Sequence, residues 1–157
     1  MEEARQVLGP GLYAVFAALP GQYRLHALQV YRRARGAGCD DPQVWQAALL
    51  HDAGKYDPHS GRYVTLPHRV AVVLLRALPG GRCLLGYLAG WSNPAGIGGR
   101  LFYPFYLSRH HARLGAELAR RHGASGTVVR LIADHHRPAQ AHLNPRLQML
   151  RAADESS

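Results

Sequence analysis

The stretch LLHDAGKYDPHSGR, residues 49–62, ends a predicted helix with a His-Asp pair and then supplies the only lysine of the chain. The chain has 19 Lys and Arg residues, and all except Lys55 are arginine. His51 is in helical phase with the apolar residues that precede it, so the predicted helix carries an imidazole along its apolar face. The fold must therefore explain why His51, Asp52 and a solitary lysine lie together at a helix end.

Helical periodicity, interrupted by turn signals, extends over nearly all of the 157 residues. Asp41-Pro42 and Asn144-Pro145 each place a capping side chain before a proline at the first helical position. No alternating run is long enough to predict a strand, and the Gly-rich stretch 92–99 is predicted to be a long loop. The sequence therefore predicts an all-α protein. Its predicted helices span residues 11–18, 22–35, 43–54, 67–77, 82–90, 105–121, 126–136 and 145–155.

Length and composition indicate one globular domain over residues 1–157. The two cysteines are too few for a disulfide framework and fit a reducing cytosol. The most apolar stretch, residues 70–91, is interrupted by Arg76 and by Pro-Gly-Gly at 79–81. Neither half reaches the roughly 20 apolar residues of a membrane-spanning helix. We therefore expect a cytoplasmic protein with no membrane partner.

The formal net charge is +9, and the excess is uneven. Between Asp57 and Asp134 the only acidic residue is Glu117, against ten arginines. Such a surface attracts anions such as phosphorylated small molecules or nucleic acid, although a solvated arginine-rich surface would look the same. The chain shows no clear recognition helix or aromatic stacking platform. A phosphorylated small molecule is the expected partner, and nucleic acid stays open as an alternative.

Five predicted helices carry His or Asp in phase with their apolar residues. A single His in this position is more often a hydrogen-bonded core residue, but a buried carboxylate without a partner costs free energy. One divalent metal would satisfy several such groups at once, and imidazoles with carboxylates suit Mn, Fe, Co, Ni or Zn. The candidate ligands are His26, His51, His111, His135, His136 and Asp154.

These residues and their surroundings resemble the HD-domain superfamily of metal-dependent phosphohydrolases, whose defining order is His, then His-Asp, then Asp. The resemblance covers roughly residues 22–155, and five segments carry it in that order. It implies a helical bundle with a metal site in its core, and it marks residues 56–105 as a variable helical and Gly-rich insertion. The segments are RLHALQVYRRA (24–34), AALLHDAGK (47–55), HARLGAEL (111–118), ADHH (133–136) and LRAAD (150–154).

The resemblance also implies a ligand set. The HARLGAEL segment favours His111 over the neighbouring His110, and the extra histidines resemble HD-GYP members that hold more than one metal. We expect two divalent ions, with Mn or Fe in first place and Co, Ni, Mg or Zn as alternatives. One ion would be held by His26, His51, Asp52 and Asp154. Asp52 would bridge to the other ion, which would be held by His111, His135 and His136.

The implied chemistry is hydrolysis of a phosphomonoester or phosphodiester of a nucleotide or another phosphorylated metabolite by a metal-activated water. Asp52 would act catalytically, and Lys55 occupies the position that faces substrate phosphate in related hydrolases. A compact ammonium there would stabilise phosphate charge. Arg109 and Arg137 are candidates for further phosphate contacts, although each taken alone is more often a solvated surface residue.

The chain departs from the HD-GYP pattern after its double histidine, where HHRPAQAHLNP (135–145) replaces the Gly-Tyr-Pro motif. This departure argues against hydrolysis of cyclic di-GMP. Two other functions stay open: a mixed-valent di-iron oxygenase on the same fold, which has a similar His/Asp set, and a regulatory HD module that has lost its ligands. The second fits less well, because none of the expected ligands is missing here.

Overall fold

The structure is a computed structural model that describes residues 1–91, 93–137 and 144–156. It is mainly helical, and the all-α prediction is confirmed. A 3-10 turn at Ala53–Lys55 leads into a small antiparallel hairpin, in which β1 (Tyr56–Asp57) pairs with β2 (Arg62–Tyr63). The helices over the described residues are α1 (Glu2–Ala18), α2 (Gly21–Gly36), α3 (Pro42–Leu50), α4 (Leu66–Ala77), α5 (Gly81–Leu88), α6 (Gly96–Arg121), α7 (Gly126–Asp134) and α8 (Pro145–Glu155).

Both predicted helix starts with a capping residue and proline are confirmed. The Asp41 carboxylate accepts a hydrogen bond from the Gln43 backbone N–H at 2.8 Å, and the Asn144 side chain accepts one from the Arg146 backbone N–H at 3.1 Å. Each bond satisfies a backbone donor that has no partner inside its helix. The Arg146 guanidinium also pairs with the Asp41 carboxylate, so the first turns of α3 and α8 are joined.

Three predicted boundaries are wrong. The helix predicted over 43–54 ends at Leu50. α1 begins at Glu2 rather than at residue 11. A first helical segment precedes a kink at Gly9, which has a φ of 66°, and the helix resumes after it. The predicted loop over 92–99 is wrong from Gly96 onward, since α6 begins there and continues through Pro104. A proline inside a helix removes one hydrogen bond, and here the rest of the helix tolerates that loss.

The chain divides into two compact units, with one boundary after Gly54 and the other inside α6, after His111. The first unit comprises Met1–Gly54 and Ala112–Ser157. In this unit α3 packs against α1, α2, α7 and α8, and its residues Ala47–Leu50 are buried. A Cβ atom added at Gly115 would lie 3.0 Å from the backbone nitrogen of Gly54, so α6 approaches the end of the His-Asp segment closely.

The second unit, Lys55–His111, contains the hairpin, α4, α5 and the first part of α6. Its hairpin turn is organised by the Asp57 carboxylate, which accepts hydrogen bonds from the Ser60 hydroxyl at 2.6 Å and from the Tyr103 hydroxyl at 3.0 Å. In contrast to α3, α4 has no buried residue along its whole length. No described helix combines the length and the apolar character needed to cross a membrane.

Candidate metal centre

Two helices of the first unit each end at a histidine, and the two ends have the same geometry. His51 is the C-cap of α3, and His135 is the C-cap of α7. The Nδ1 atom of His51 lies 2.9 Å from the Ala48 carbonyl oxygen, and the Nδ1 atom of His135 lies 2.6 Å from the Ile132 carbonyl oxygen. Since a carbonyl only accepts, each Nδ1 carries the hydrogen and donates it. In the neutral ring the lone pair is then on Nε2, which is the tautomer that a metal-binding histidine needs.

Side chains from α2 and α8 meet the His-Asp pair that follows α3. The Nε2 atom of His26 lies 3.1 Å from Oδ1 of Asp154 and 3.8 Å from Oδ2 of Asp52. The Nε2 atom of His51 lies 3.4 Å from Oδ1 of Asp154 and 3.7 Å from Oδ1 of Asp52. Ligand atoms of His26, His51 and Asp52 all lie within 4.8 Å of one another. Residues 128 positions apart in sequence thus supply imidazoles and carboxylates to one place.

Low solvent exposure distinguishes several of these side chains from ordinary surface polar groups. Among the described residues, four polar or charged residues are buried, and all four belong to the ligand set expected from sequence. Burial of this kind costs free energy unless each group has a suitable partner. They are His51, Asp52, His111 and His135, exposed by 1%, 4%, 6% and 2%.

The donor set fits a divalent cation. With its hydrogen on Nδ1, the neutral His51 ring presents a lone pair to the carboxylate oxygens of Asp52 and Asp154, and acceptors that face one another repel. Either a proton on Nε2 or a cation between the groups removes that repulsion. Imidazole nitrogens with carboxylate oxygens are ligands for Mn, Fe, Co, Ni or Zn. The first unit therefore contains a His/Asp group that could hold a metal ion.

Neighbouring groups shift the pKa values of His51 and Asp154. Burial of the His51 ring disfavours the imidazolium, but the charges of Asp52 and Asp154 outweigh burial and raise the pKa of His51 above its ordinary value. Burial acts to raise the pKa of Asp154, but hydrogen bonds from His26 and His51 hold that pKa well below its usual range. The raised pKa means that the His51 ring holds its proton more readily than a free imidazole, so a cation bound at Nε2 would displace that proton.

The remaining histidines of the expected set lie at two places in the chain. The rings of His135 and His136 are adjacent, with centroids 4.0 Å apart, and the His135 ring lies 5.3 Å from that of His51. His135 is buried, whereas His136 is exposed. His111 is the last residue of the second unit, and its Nδ1 donates to the Ser108 carbonyl oxygen at 2.7 Å. His51, His111 and His135 therefore share one ring orientation relative to their own backbone.

The cationic residues expected to bind substrate differ in their surroundings. Lys55 ends the 3-10 turn and is half-buried, and its carbonyl accepts a hydrogen bond from the Val64 N–H at 3.1 Å. Arg109 is exposed. Arg137 is exposed and forms an ion pair with Asp134 at 3.2 Å, three residues earlier. Sequence reasoning overlooked this pair, although the spacing of the two residues is one at which helical side chains meet.

Comparison with protein-family models, with curated proteins and with solved structures found no match for this chain. The candidate centre therefore rests on its own residues and their geometry.

Proposed function

We propose that this chain is a metal-dependent phosphohydrolase of the HD superfamily. The observation that carries the proposal is the convergence of His26, His51, Asp52 and Asp154, which follow one another in the order typical of that superfamily. The buried positions of His51 and Asp52 support a metal-binding role over a solvated polar cluster. The basic character of the chain is consistent with an anionic substrate.

In this proposal the four converging residues hold one divalent ion. Asp52 would also contribute to a second ion, with His135 and His136 of the same unit. This second set, with His111 as its further member, rests on the sequence resemblance alone. A divalent ion supplies a Lewis acid for phosphoryl oxygens and lowers the pKa of water toward neutrality. The ring-to-carbonyl bonds of His51 and His135 hold their imidazoles in one tautomer, so the ligands are ordered before an ion arrives.

The other proposed roles belong to cationic side chains. Lys55 places an ammonium three residues after Asp52, where it would bind a phosphoryl oxygen of the substrate and stabilise charge during hydrolysis. Arg109, which is exposed, would bind a further phosphate of a nucleotide or a related metabolite. Arg137 is the weaker candidate, because its guanidinium already pairs with Asp134.

The test is a substrate screen on purified full-length protein loaded with Mn, Fe, Co or Ni, using nucleotides and simple phosphoesters. We expect metal-dependent release of phosphate or a nucleoside monophosphate, and we expect Asp52→Ala to lose both metal and activity. Asp57→Asn is the matched control, because this carboxylate lies in the second unit and organises a turn. Full activity in Asp52→Ala, prepared free of contaminating phosphatase, would contradict the proposal.

The same preparation distinguishes a hydrolase from a di-iron oxygenase, an alternative that also fits the histidine-rich donor set. A di-iron oxygenase would retain iron, show a mixed-valent EPR signal and consume oxygen in the presence of substrate. A hydrolase would release phosphate without oxygen and would accept a redox-inert ion. Oxygen consumption without phosphate release would favour the oxygenase.

A further inference from the structure

Large apolar side chains are exposed mainly in one part of the molecule. Among the described residues, 14 large hydrophobic side chains are exposed, and 11 of them belong to the second unit. Soluble proteins expose single apolar residues commonly, but extended apolar surfaces usually mark a binding site. The 11 residues are Tyr63, Leu66, Val70, Val73, Leu74, Leu78, Leu84, Tyr87, Trp91, Ile97 and Leu101.

The strongest example is α4. Leu66, Val70, Val73 and Leu74 follow one another at the spacing that places side chains on one face of a helix. Their exposed fractions are 67%, 48%, 66% and 60%. A surface helix normally turns such a stripe toward the core, whereas α4 turns it to solvent. We call the exposed apolar surface of α4, α5 and Trp91 the apolar face.

α5, which packs against α4, and the turn after it add further exposed apolar residues, two of them aromatic. Tyr87 is 78% exposed, Trp91 is 45% exposed and Leu84 is 45% exposed. An open groove of about 500 Å³ lies beside Tyr87 and Trp91. Tyrosine and tryptophan combine an apolar body with a polar tip, so they are favoured where an apolar layer meets water.

The second unit is also strongly basic. Lys55–His111 contains Lys55 and six arginines, seven cations in all, and one acidic residue, Asp57, which gives a net charge of +6. The Asp57 carboxylate is engaged in its own turn by Ser60 and Tyr103. On α4, Arg69 and Arg76 are exposed and lie four residues before and three residues after Val73, so both lie along one edge of the apolar stripe.

We propose that the apolar face binds the surface of an anionic lipid bilayer, with α4 lying in the interface rather than crossing it. An amphipathic helix with exposed aliphatic residues and flanking arginines gains both apolar burial and attraction to anionic headgroups. A second copy of the chain fits less well, because joining two copies through second units that each carry a net charge of +6 brings like charges together. The proposal differs from the sequence-based expectation of no membrane partner, and it does not depend on the proposed hydrolase activity.

Co-sedimentation of full-length protein with vesicles tests the proposal. Vesicles of phosphatidylcholine alone are compared with vesicles of equal parts phosphatidylcholine and phosphatidylglycerol. We expect binding to the anionic vesicles that weakens as salt is raised, and little binding to the neutral ones. The triple variant Val70→Ser/Val73→Ser/Leu74→Ser should lower the partition coefficient by about tenfold or more.

Two further variants separate the contributions. Arg69→Gln/Arg76→Gln keeps the apolar stripe and should lower partition into anionic vesicles by about tenfold. Leu25→Ser is the matched control, because Leu25 is 59% exposed on α2 of the first unit and should leave binding unchanged. All substituted positions are exposed, and circular dichroism establishes that each variant keeps its helices.

Three results would overturn the proposal. The first is equal binding by wild type and by the triple variant. The second is a lipid-free dimer, seen by sedimentation velocity, that the triple variant dissociates, which would assign the face to a second copy. The third is binding to polyglutamate that the triple variant abolishes, without binding to vesicles, which would indicate an acidic protein partner.

Discussion

The two units depart from the usual pattern of burial in opposite ways. The first unit buries the polar residues His51, Asp52 and His135, whereas the second exposes most of the large apolar residues that face solvent. A buried polar group and an exposed apolar patch are the informative exceptions to ordinary burial, because each costs free energy in the isolated chain. The difference agrees with the two proposals made above, a cation bound by the first unit and an anionic lipid surface bound by the second.

The largest expected effect is on catalysis and concerns Lys55, the first residue of the second unit. Lys55→Ala should keep its metal but lower kcat/KM roughly 100- to 1000-fold, the usual effect of removing one group that stabilises transition-state charge. Lys55→Arg is the matched control, since it keeps the charge but changes its shape. If Lys55→Ala loses metal, the residue has a structural role. If Lys55→Arg is fully active, the solitary lysine reflects composition alone.

Metal removal should have the next largest effect and should act through the first unit. An ion present at 100 times its Kd stabilises the folded state by about 2.7 kcal/mol. For a chain of this length we expect removal by a chelator to lower Tm by roughly 5–10 °C. Differential scanning calorimetry with and without metal measures this change, and Asp52→Ala should show no such shift. Equal shifts in wild type and Asp52→Ala would place the ion elsewhere.

A smaller effect on the free energy of unfolding is expected when one glycine of each unit is replaced by alanine. Gly115→Ala should destabilise the protein by about 1 kcal/mol, because the added Cβ would press on the Gly54 backbone and overpacking outweighs the gain in helix propensity. Gly86→Ala in α5 has no atom within 4 Å of its new Cβ and should stabilise the protein by roughly 0.5–1 kcal/mol. Urea unfolding of both variants gives the comparison, and two shifts of the same sign would contradict it.

The smallest effect is a pH dependence of the second unit. Burial acts to raise the pKa of Asp57, but hydrogen bonds from Ser60, His59 and Tyr103 outweigh it and lower that pKa below its ordinary value. The folded state then favours the carboxylate, so its stabilising effect is present above the ordinary aspartate pKa and is lost as pH falls. Asp57→Asn should lower stability slightly at neutral pH, and the difference should shrink in acid. Urea midpoints across the acidic range measure it, and a difference that grows in acid would contradict this sign.

Sequence patterns predicted the parts of the structure that depend on local chemistry. Asp41 and Asn144 cap their helices as expected, because a short polar side chain before a proline favours the start of a helix. The helical phase of His26, His51 and Asp154 indicated that they share a direction with the apolar core, although phase alone cannot give the distances between helices.

Other features depend on tertiary packing and could not be predicted. The apolar period of α4 is the same whether its stripe faces a core or solvent, so the sequence predicted a helix over 67–77 but not the exposure of its stripe. The extension of α6 back to Gly96 passes through Pro104, a residue that usually marks a helix boundary. The bonds from the rings of His51 and His135 to carbonyls depend on where α3 and α7 end, and helix ends are the least predictable part of a sequence pattern.

The central claim is that the converging histidines and aspartates of the first unit form a metal site, and elemental analysis of reloaded protein tests it most directly. Full-length protein is stripped with a chelator, incubated with Mn or Fe, desalted and analysed by mass spectrometry for bound metal, beside His51→Ala and His122→Ala. His122 is the matched control, because it is an exposed histidine whose ring also bonds to a helix carbonyl. We predict that wild type and His122→Ala retain divalent metal and that His51→Ala loses most of it. Metal-free wild type, or equal retention by all three proteins, would contradict the claim.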